Sequence, residues 1–321
     1  MHMSDALISP AVAATAGAVS LILLGTAIRK VGRESRDDTA SLPRMGVMGA
    51  FVFAAQLINF AIPGTGSSGH LVGGILLATL LGPWAGLLTL ASVLFLQCLL
   101  FADGGFLALG CNLFNMAVLS CLVAWPTVYR PIAGSGGSPR RVFAAALLAG
   151  IAAAVLGALA VTAETELSGI TALPWGRFLL FMLPIHLLIG IGEGLATAAV
   201  LAAVRRYRPE LLNGPQHAGP SRRGVRRLLP IIVATLLVAG TFSWIASSDP
   251  DGLEWSIEQV AGTSELPAGS DAPHRTAAVI QERTALLPDY GTSFAGIVGS
   301  GLLLAVAFGA SLFIRVGRRQ S

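Results

Sequence analysis

Along almost the whole chain, runs of apolar residues alternate with short polar joints rich in Gly, Pro or Arg. Each run approaches the ~20 residues that carry a helix across a bilayer. Nine candidate crossings follow: 10–28, 45–62, 70–82, 84–101, 110–129, 142–162, 177–204, 229–246 and 292–314. Segment 70–82 is short for an upright helix, and Gly82-Pro83 reads either as a tight turn between two spans or as a kink inside one broken span.

The rhythm changes after Val204. A linker over 205–228 is Arg-rich and broken by Pro209, Gly214, Pro215, Gly219 and Pro220. It separates a bundle of about seven helices, 1–204, from a second module, 229–321. That module reads as a two-helix hairpin around a polar loop, 247–291, whose Ser, Pro, Asp, Glu and Ala content predicts little packed core. Small residues recur within the helices: Ala11, Ala14 and Ala18 in the first, and Gly and Ala through 146–160 and 190–199. Such spacing lets helix backbones approach closely in lipid. For Ala14 and Ala18 it predicts either packing within the bundle or docking to another membrane subunit.

Composition closes the question of class. With 54% hydrophobic and 12% charged residues, the chain is an all-α integral membrane protein rather than a soluble domain. Charge then orients it. If the N-terminus is outside and all nine segments cross, every Lys and Arg except Arg177, Arg275 and Arg283 falls in a cytoplasmic loop or tail, whereas merging 70–82 with 84–101 puts later basic loops on the wrong face. The expectation is therefore N-out and C-in, in a cell (inner) membrane. Acidic residues collect in 247–291, and the basic face suits an anionic leaflet or an acidic cytoplasmic partner and requires no nucleic acid. The first apolar segment has its basic residues after it, as an uncleaved N-out helix does. Cys98, Cys111 and Cys121 lack C-x-x-C spacing and read as small buried hydrophobes.

Few residues carry candidate chemistry. Gly64-Thr65-Gly66-Ser67-Ser68-Gly69 satisfies G-x-G-x-x-G in form, but it joins two membrane segments instead of a strand and a soluble helix, so nucleotide binding is rejected. The chain has no P-loop, and Lys30 is its single lysine; ATP hydrolysis must belong to partners. Met1-His2 offers a metal three nitrogens in one plane: the α-amine, the His2 peptide nitrogen once deprotonated, and His2 Nδ1, in fused five- and six-membered rings. A fourth nitrogen from His70 completes a square, as d⁸ Ni(II) prefers and Cu(II) also accepts. The bulk of His2 favours retention of the initiator Met. Taken singly, His2 also reads as an exposed terminal residue and His70 as a polar helix end. His186 and Glu193, two turns apart on one face, read as a structural pair or as gating groups. Asp103 and the Asn112/Asn115 pair read as caps and turn formers, with support of a metal-site loop as the alternative, and Ser68 adjoins that loop. His217 and His274 have no partner at ligand spacing.

Several ordered motifs, Met1-His2-Met3-Ser4-Asp5-Ala6-Leu7, Gly66-Ser67-Ser68-Gly69-His70-Leu71, Leu81-Gly82-Pro83-Trp84-Ala85-Gly86, Phe101-Ala102-Asp103-Gly104-Gly105 and Asn112-Leu113-Phe114-Asn115-Met116-Ala117, resemble the CbiM/NikM family. These are substrate-binding membrane components of energy-coupling-factor transporters for cobalt and nickel. Pro250-Asp251-Gly252-Leu253-Glu254 is similar to the PDGLE signature of the small accessory component, here fused to the first module. The resemblance implies import of Ni²⁺, or of Co²⁺ including supply for cobalamin synthesis. It implies no permanently bound cofactor and no enzymatic activity in this chain. Its implied metal ligands are Met1, His2 and His70, and its implied partners are a transmembrane coupling subunit and cytoplasmic ATPase subunits. Where many relatives read M-H-I-[MP]-[DE]-G-F-L, this chain has Met3, Ser4 and Ala6, so metal preference is not fixed by the flanking residues. Two rivals make different demands: a membrane enzyme using His186 and Glu193 as acid and base, and a self-sufficient metal permease.

Overall fold

In the computed structural model, residues 1–34, 41–134, 137–212, 247–288 and 295–320 are described, with 229, 231–233, 235 and 237. His217 and most of segment 229–246 lie outside them. A 3-10 turn at Asp5–Leu7 leads into α1 (Pro10–Glu34), followed by α2 (Ser41–Gln56) and a two-stranded antiparallel hairpin, β1 (Phe60–Ile62) and β2 (Ser67–Gly69). Then come α3 (Gly74–Leu81), α4 (Pro83–Phe101), α5 (Leu109–Ala133), α6 (Pro139–Ser168) and α7 (Trp175–Tyr207). The second module supplies α8 (Gly252–Ala261), α9 (Ala272–Thr284) and α10 (Ala295–Gln320). Among the described residues, α1, α4, α5, α6 and α7 are long and apolar enough to cross a membrane.

The helix pairs meet where side chains are smallest. A Cβ on Gly194 would lie 2.6 Å from Leu147 Cα, one on Gly150 2.8 Å from Gly194 Cα, and one on Gly190 2.7 Å from Ile151 Cα, so α6 and α7 touch backbone to backbone. Similarly, α1 presses Gly17 against Gly110 of α5, and Ser20 Oγ donates to Gly110 O at 2.9 Å. Ala14 and Ala18 take no part in this packing: both are exposed on the outer side of α1.

Two expectations change. Segment 70–82 becomes helical only from Gly74, giving eight residues or about 12 Å of helix. Backbone without helical partners survives inside a membrane protein only when it is buried and hydrogen-bonded. Here Gln56 Nε2 donates to Val72 O at 2.9 Å, and Glu193 Oε1 accepts Gly73 N–H at 3.1 Å. Gly73 itself has φ +82°, a conformation L side chains rarely adopt. The loop 247–291, expected to pack poorly, contains α8 and α9. Composition hid them because only one short face of each is apolar: Leu253 and Ile257 of α8 and Ala277 of α9 are buried.

Candidate metal site

The N-terminal segment is drawn into the bundle by backbone pairing with a single side chain. Met3 N–H donates to Asn112 Oδ1 at 2.8 Å, Asn112 Nδ2 donates back to Met3 O at 3.1 Å, and Gly105 N–H reaches the same carbonyl at 2.8 Å. Asp5 Oδ1 accepts the Ala108 N–H at 2.9 Å. Met1, Met3, Leu7 and Ile8 are buried in a core shared with Phe178 and Met182 of α7 and with Leu253 and Ile257 of α8, so both modules close over the terminus.

This fixes Met1 and His2 beside the end of β2. The His2 and His70 rings stack with centroids 5.6 Å apart and planes within 10°. His70 Nδ1 lies 3.3 Å from Leu71 O, which assigns its proton to Nδ1 and leaves Nε2 as the lone pair available to an ion. His2 Nδ1 lies 2.9 Å from Asp103 Oδ1, and its Nε2 is buried without a hydrogen-bond partner. The Met1 α-ammonium pairs with Asp251 Oδ2. Thus two of the nitrogens needed for a chelate, the amine and His2 Nδ1, are each held by a carboxylate. Burial alone would raise the Asp251 carboxyl, but the adjacent ammonium and backbone donors outweigh it and hold the group well below the usual carboxylate range.

A cavity of about 570 Å³ opens over these groups, lined by His2, His70, Asp103, Asp249, Asp251 and Glu254 among others. Burial, and then the charge of Asp251, raises the Glu254 carboxyl. Among the described residues no three His, Cys, Asp or Glu side chains cluster at metal-ligand spacing. Side chains alone therefore form no metal-ligand cluster among these residues.

The remaining candidate residues sort by position. Ser68 pins the second module: its N–H donates to Pro250 O and its Oγ to Asp249 O, both at 2.8 Å. Asn115 Nδ2 donates to Glu164 Oε2 at 2.6 Å and approaches Met3 Sδ at 3.6 Å, beneath the terminus. His186 Nδ1 bonds to Met182 O at 2.8 Å, its Nε2 has no partner, and a Cβ at Gly252 would lie 3.3 Å from that Nε2. Glu193 serves the broken backbone at Gly73. The structure thus brings Met1, His2, His70, Asp103, Asn112 and Ser68 to one place, while Glu193 acts below it.

Asp251 lies in the PDGLE-like motif, yet nothing local in the sequence marks it as a group that touches the terminus. The same holds for the contacts of His274. His274 Nδ1 lies 2.6 Å from Asp271 Oδ1, while Nε2 lies 3.1 Å from Asp5 O and 3.0 Å from Ile8 O. With acceptors on both nitrogens, the ring is favoured as the imidazolium. The local signal was Asp271-x-x-His274, an N-cap with its third helical residue.

An apolar helical bundle with five helices long and apolar enough to cross a membrane among the described residues defines a multi-pass membrane protein, and its buried N-terminus places His2 against His70 under an acidic cavity. The chain belongs to the CbiM family, described as the cobalt uptake substrate-specific transmembrane region, which matches residues 2–211, and a PDGLE domain matches residues 226–316. The putative fused nickel transport protein NikMN of Archaeoglobus fulgidus is 34% identical over 98% of this chain and 99% of its own length. The fused nickel transport protein NikMN of Rhodobacter capsulatus is 31% identical over 98% and 95%. The cobalt transport protein CbiM of Geobacter sulfurreducens is 31% identical over 81% and 78%. A crystal structure of a transition metal transporter superposes with a TM-score of 0.55 at 31% identity, covering 64% of this chain and 93% of that one.

Proposed function

We propose that this chain is the metal-recognising membrane component of an ATP-driven energy-coupling-factor importer of Ni²⁺, with Co²⁺ as the alternative cargo. The observation that carries the reading is the convergence of the Met1 amine, His2 and His70 in one buried pocket. The ligand set is the amine, the His2 peptide nitrogen, His2 Nδ1 and one His70 nitrogen, a square of four nitrogens suited to Ni²⁺. Two relatives named for nickel transport share the fused two-module layout over almost their whole length, which favours nickel over cobalt.

Residues 1–204 act as the recognition component, 205–228 as a basic cytoplasmic linker and 229–321 as the accessory component, with nine crossings running N-out to C-in in the inner membrane. ATP is hydrolysed by cytoplasmic ATPase subunits acting through a transmembrane coupling subunit. The exposed Ala14 and Ala18 on α1 are a docking face for that subunit, since small residues turned away from their own bundle serve close approach by another helix.

The test is calorimetry on protein with a native, untagged start. N-terminal acetylation, a Gly-Ser extension or His70→Ala should each weaken Ni²⁺ binding by at least about a hundredfold, because each removes a ligand whose deprotonated form the metal requires. Parent-like affinity in all three would overturn the site. Binding should also release about two protons per ion, from the ammonium and the His2 peptide, read from heats in buffers of different ionisation enthalpy.

A further inference from the structure

Asp251 uses one carboxylate oxygen for its own helix and has the other to spare. Oδ1 accepts the N–H groups of Leu253 at 2.8 Å and Glu254 at 2.9 Å, and the Glu254 carboxylate accepts Asp251 N–H at 3.1 Å, which closes the N-terminus of α8 as a capping box. Oδ2 is thereby aimed away from the helix, and the α-ammonium of Met1 meets it. The backbone carrying this carboxylate has little freedom. Asp251 forms a parallel bridge with Ser68, and Gly252 sits so tightly on α7 that a Cβ there would lie 2.5 Å from Ile189 Cδ1. The second module therefore presents a fixed negative charge to the one atom of the chelate that only the chain terminus can supply.

We propose that Asp251 is the positioning residue through which the second module holds the α-amine in place beside His2 and His70 and receives the incoming divalent cation. The proposal rests on the assignment of Met1, His2 and His70 as metal ligands. As the cation binds, the ammonium and the His2 peptide each give a proton to water, and the metal accepts their lone pairs with those of the two imidazoles. A dication less one deprotonated amide leaves the occupied chelate at +1, so the carboxylate still faces net positive charge. It exchanges one cationic neighbour for another and acts mainly on capture. Asp103 treats His2 Nδ1 in a parallel way from the first module; among the described residues Asp251 brings the second module to the amine.

The experiment is stopped-flow Ni²⁺ association with the full chain in lipid nanodiscs, alongside equilibrium titration and the absorption spectrum of bound Ni²⁺. Asp251→Asn keeps a side-chain oxygen for the helix cap and removes the charge. It should slow association about tenfold and flatten its ionic-strength dependence, with the spectrum of the bound ion unchanged. Asp251→Glu should restore part of the rate. Association of D251N at the parent rate, with the parent's salt dependence, overturns the proposal. His70→Ala separates the two readings: if it also binds as the parent does, the ligand assignment has failed, whereas if it loses binding while D251N is unaffected, only the role of Asp251 has. Should D251N fail to accumulate, Asp251→Ser, which also keeps a capping oxygen and removes the charge, takes its place and is judged by the same association rate and salt dependence.

Discussion

Met3 is held by one side chain doing what a neighbouring strand would do. Asn112 both accepts from the Met3 N–H and donates to its carbonyl, across 109 positions of sequence. Asn112→Ala would leave a buried N–H without its partner, at a cost of about 1–3 kcal/mol. That cost falls on the first few residues, because the rest of α5 packs through Cys111, Met116 and Ala117. The expected outcome is unchanged helical circular dichroism with Ni²⁺ affinity reduced about 10–100-fold, the range found when a ligand loses its outer support; parent affinity would mean that the terminus orders itself without Asn112. The sequence points to Met1-His2 because fused-ring chelation is a property of adjacent residues, whereas only topology and motif resemblance connect it to His70, whose ring the structure stacks on His2. Asn112 was read as a cap or turn former because nothing local marks a side chain turned toward a distant backbone.

Segment 70–82 shows how an element can be broken and still buried. Its non-helical half, 70–73, depends on Gln56 and Glu193, and Gln97 Nε2 in turn donates to Gln56 Oε1 at 2.8 Å. Glu193→Gln keeps an oxygen for the Gly73 N–H and should preserve uptake, whereas Glu193→Leu strands that N–H and should cost about 1–3 kcal/mol in a thermal-unfolding measurement. A membrane enzyme using Glu193 as acid or base predicts the opposite for Gln, namely loss of activity with the fold intact. The apolar run predicted a span here, but which half was helical depended on partners in α2 and α7. Helices α8 and α9 were hidden for a related reason, since each presents one short apolar face to a surface built by the other module. His274 gives α9 a pH signature. Burial would lower its pKa, but the hydrogen bond and charge of Asp271 and the two carbonyl acceptors outweigh it, so the folded value lies above the ordinary one. Its contribution is complete below the ordinary histidine value of about 6.5 and is lost as pH rises through the higher folded value. Hydrogen exchange in 1–9 and 272–284, corrected for intrinsic rates, should therefore quicken as pH rises above about 6.5. His274→Ala should abolish that pH dependence, and a parent without it would refute the clasp.

At the scale of the whole molecule, the two modules share one surface. Leu253 and Ile257 complete the core around Met1 and Met3, Gln281 Nε2 donates to Gly104 O at 2.7 Å, and Trp255 Nε1 donates to Thr65 O at 3.0 Å. On the neighbouring flank α10 runs along α2, with Ser300 Oγ donating to Ala50 O at 3.2 Å and Gly299 seated against the Phe53 ring. Cutting the chain after 204 would strip the amine of its carboxylate and expose the apolar underside of the N-terminal segment to water. Residues 1–204, produced with the coupling and ATPase subunits, should import Ni²⁺ at least about tenfold more slowly than the full chain, as expected when a charged group that attracts the cation and orders its ligand is lost. These contacts between 1–204 and the second module are noncovalent, so residues 205–321 supplied as a separate chain should recover part of the rate, the remainder reflecting the lower effective concentration of an untethered partner. Undiminished uptake by 1–204 alone would confine the second module to a structural role. Failure of the separate chain to rescue uptake, despite reaching the membrane and binding 1–204, would mean that its covalent tether is itself part of the mechanism.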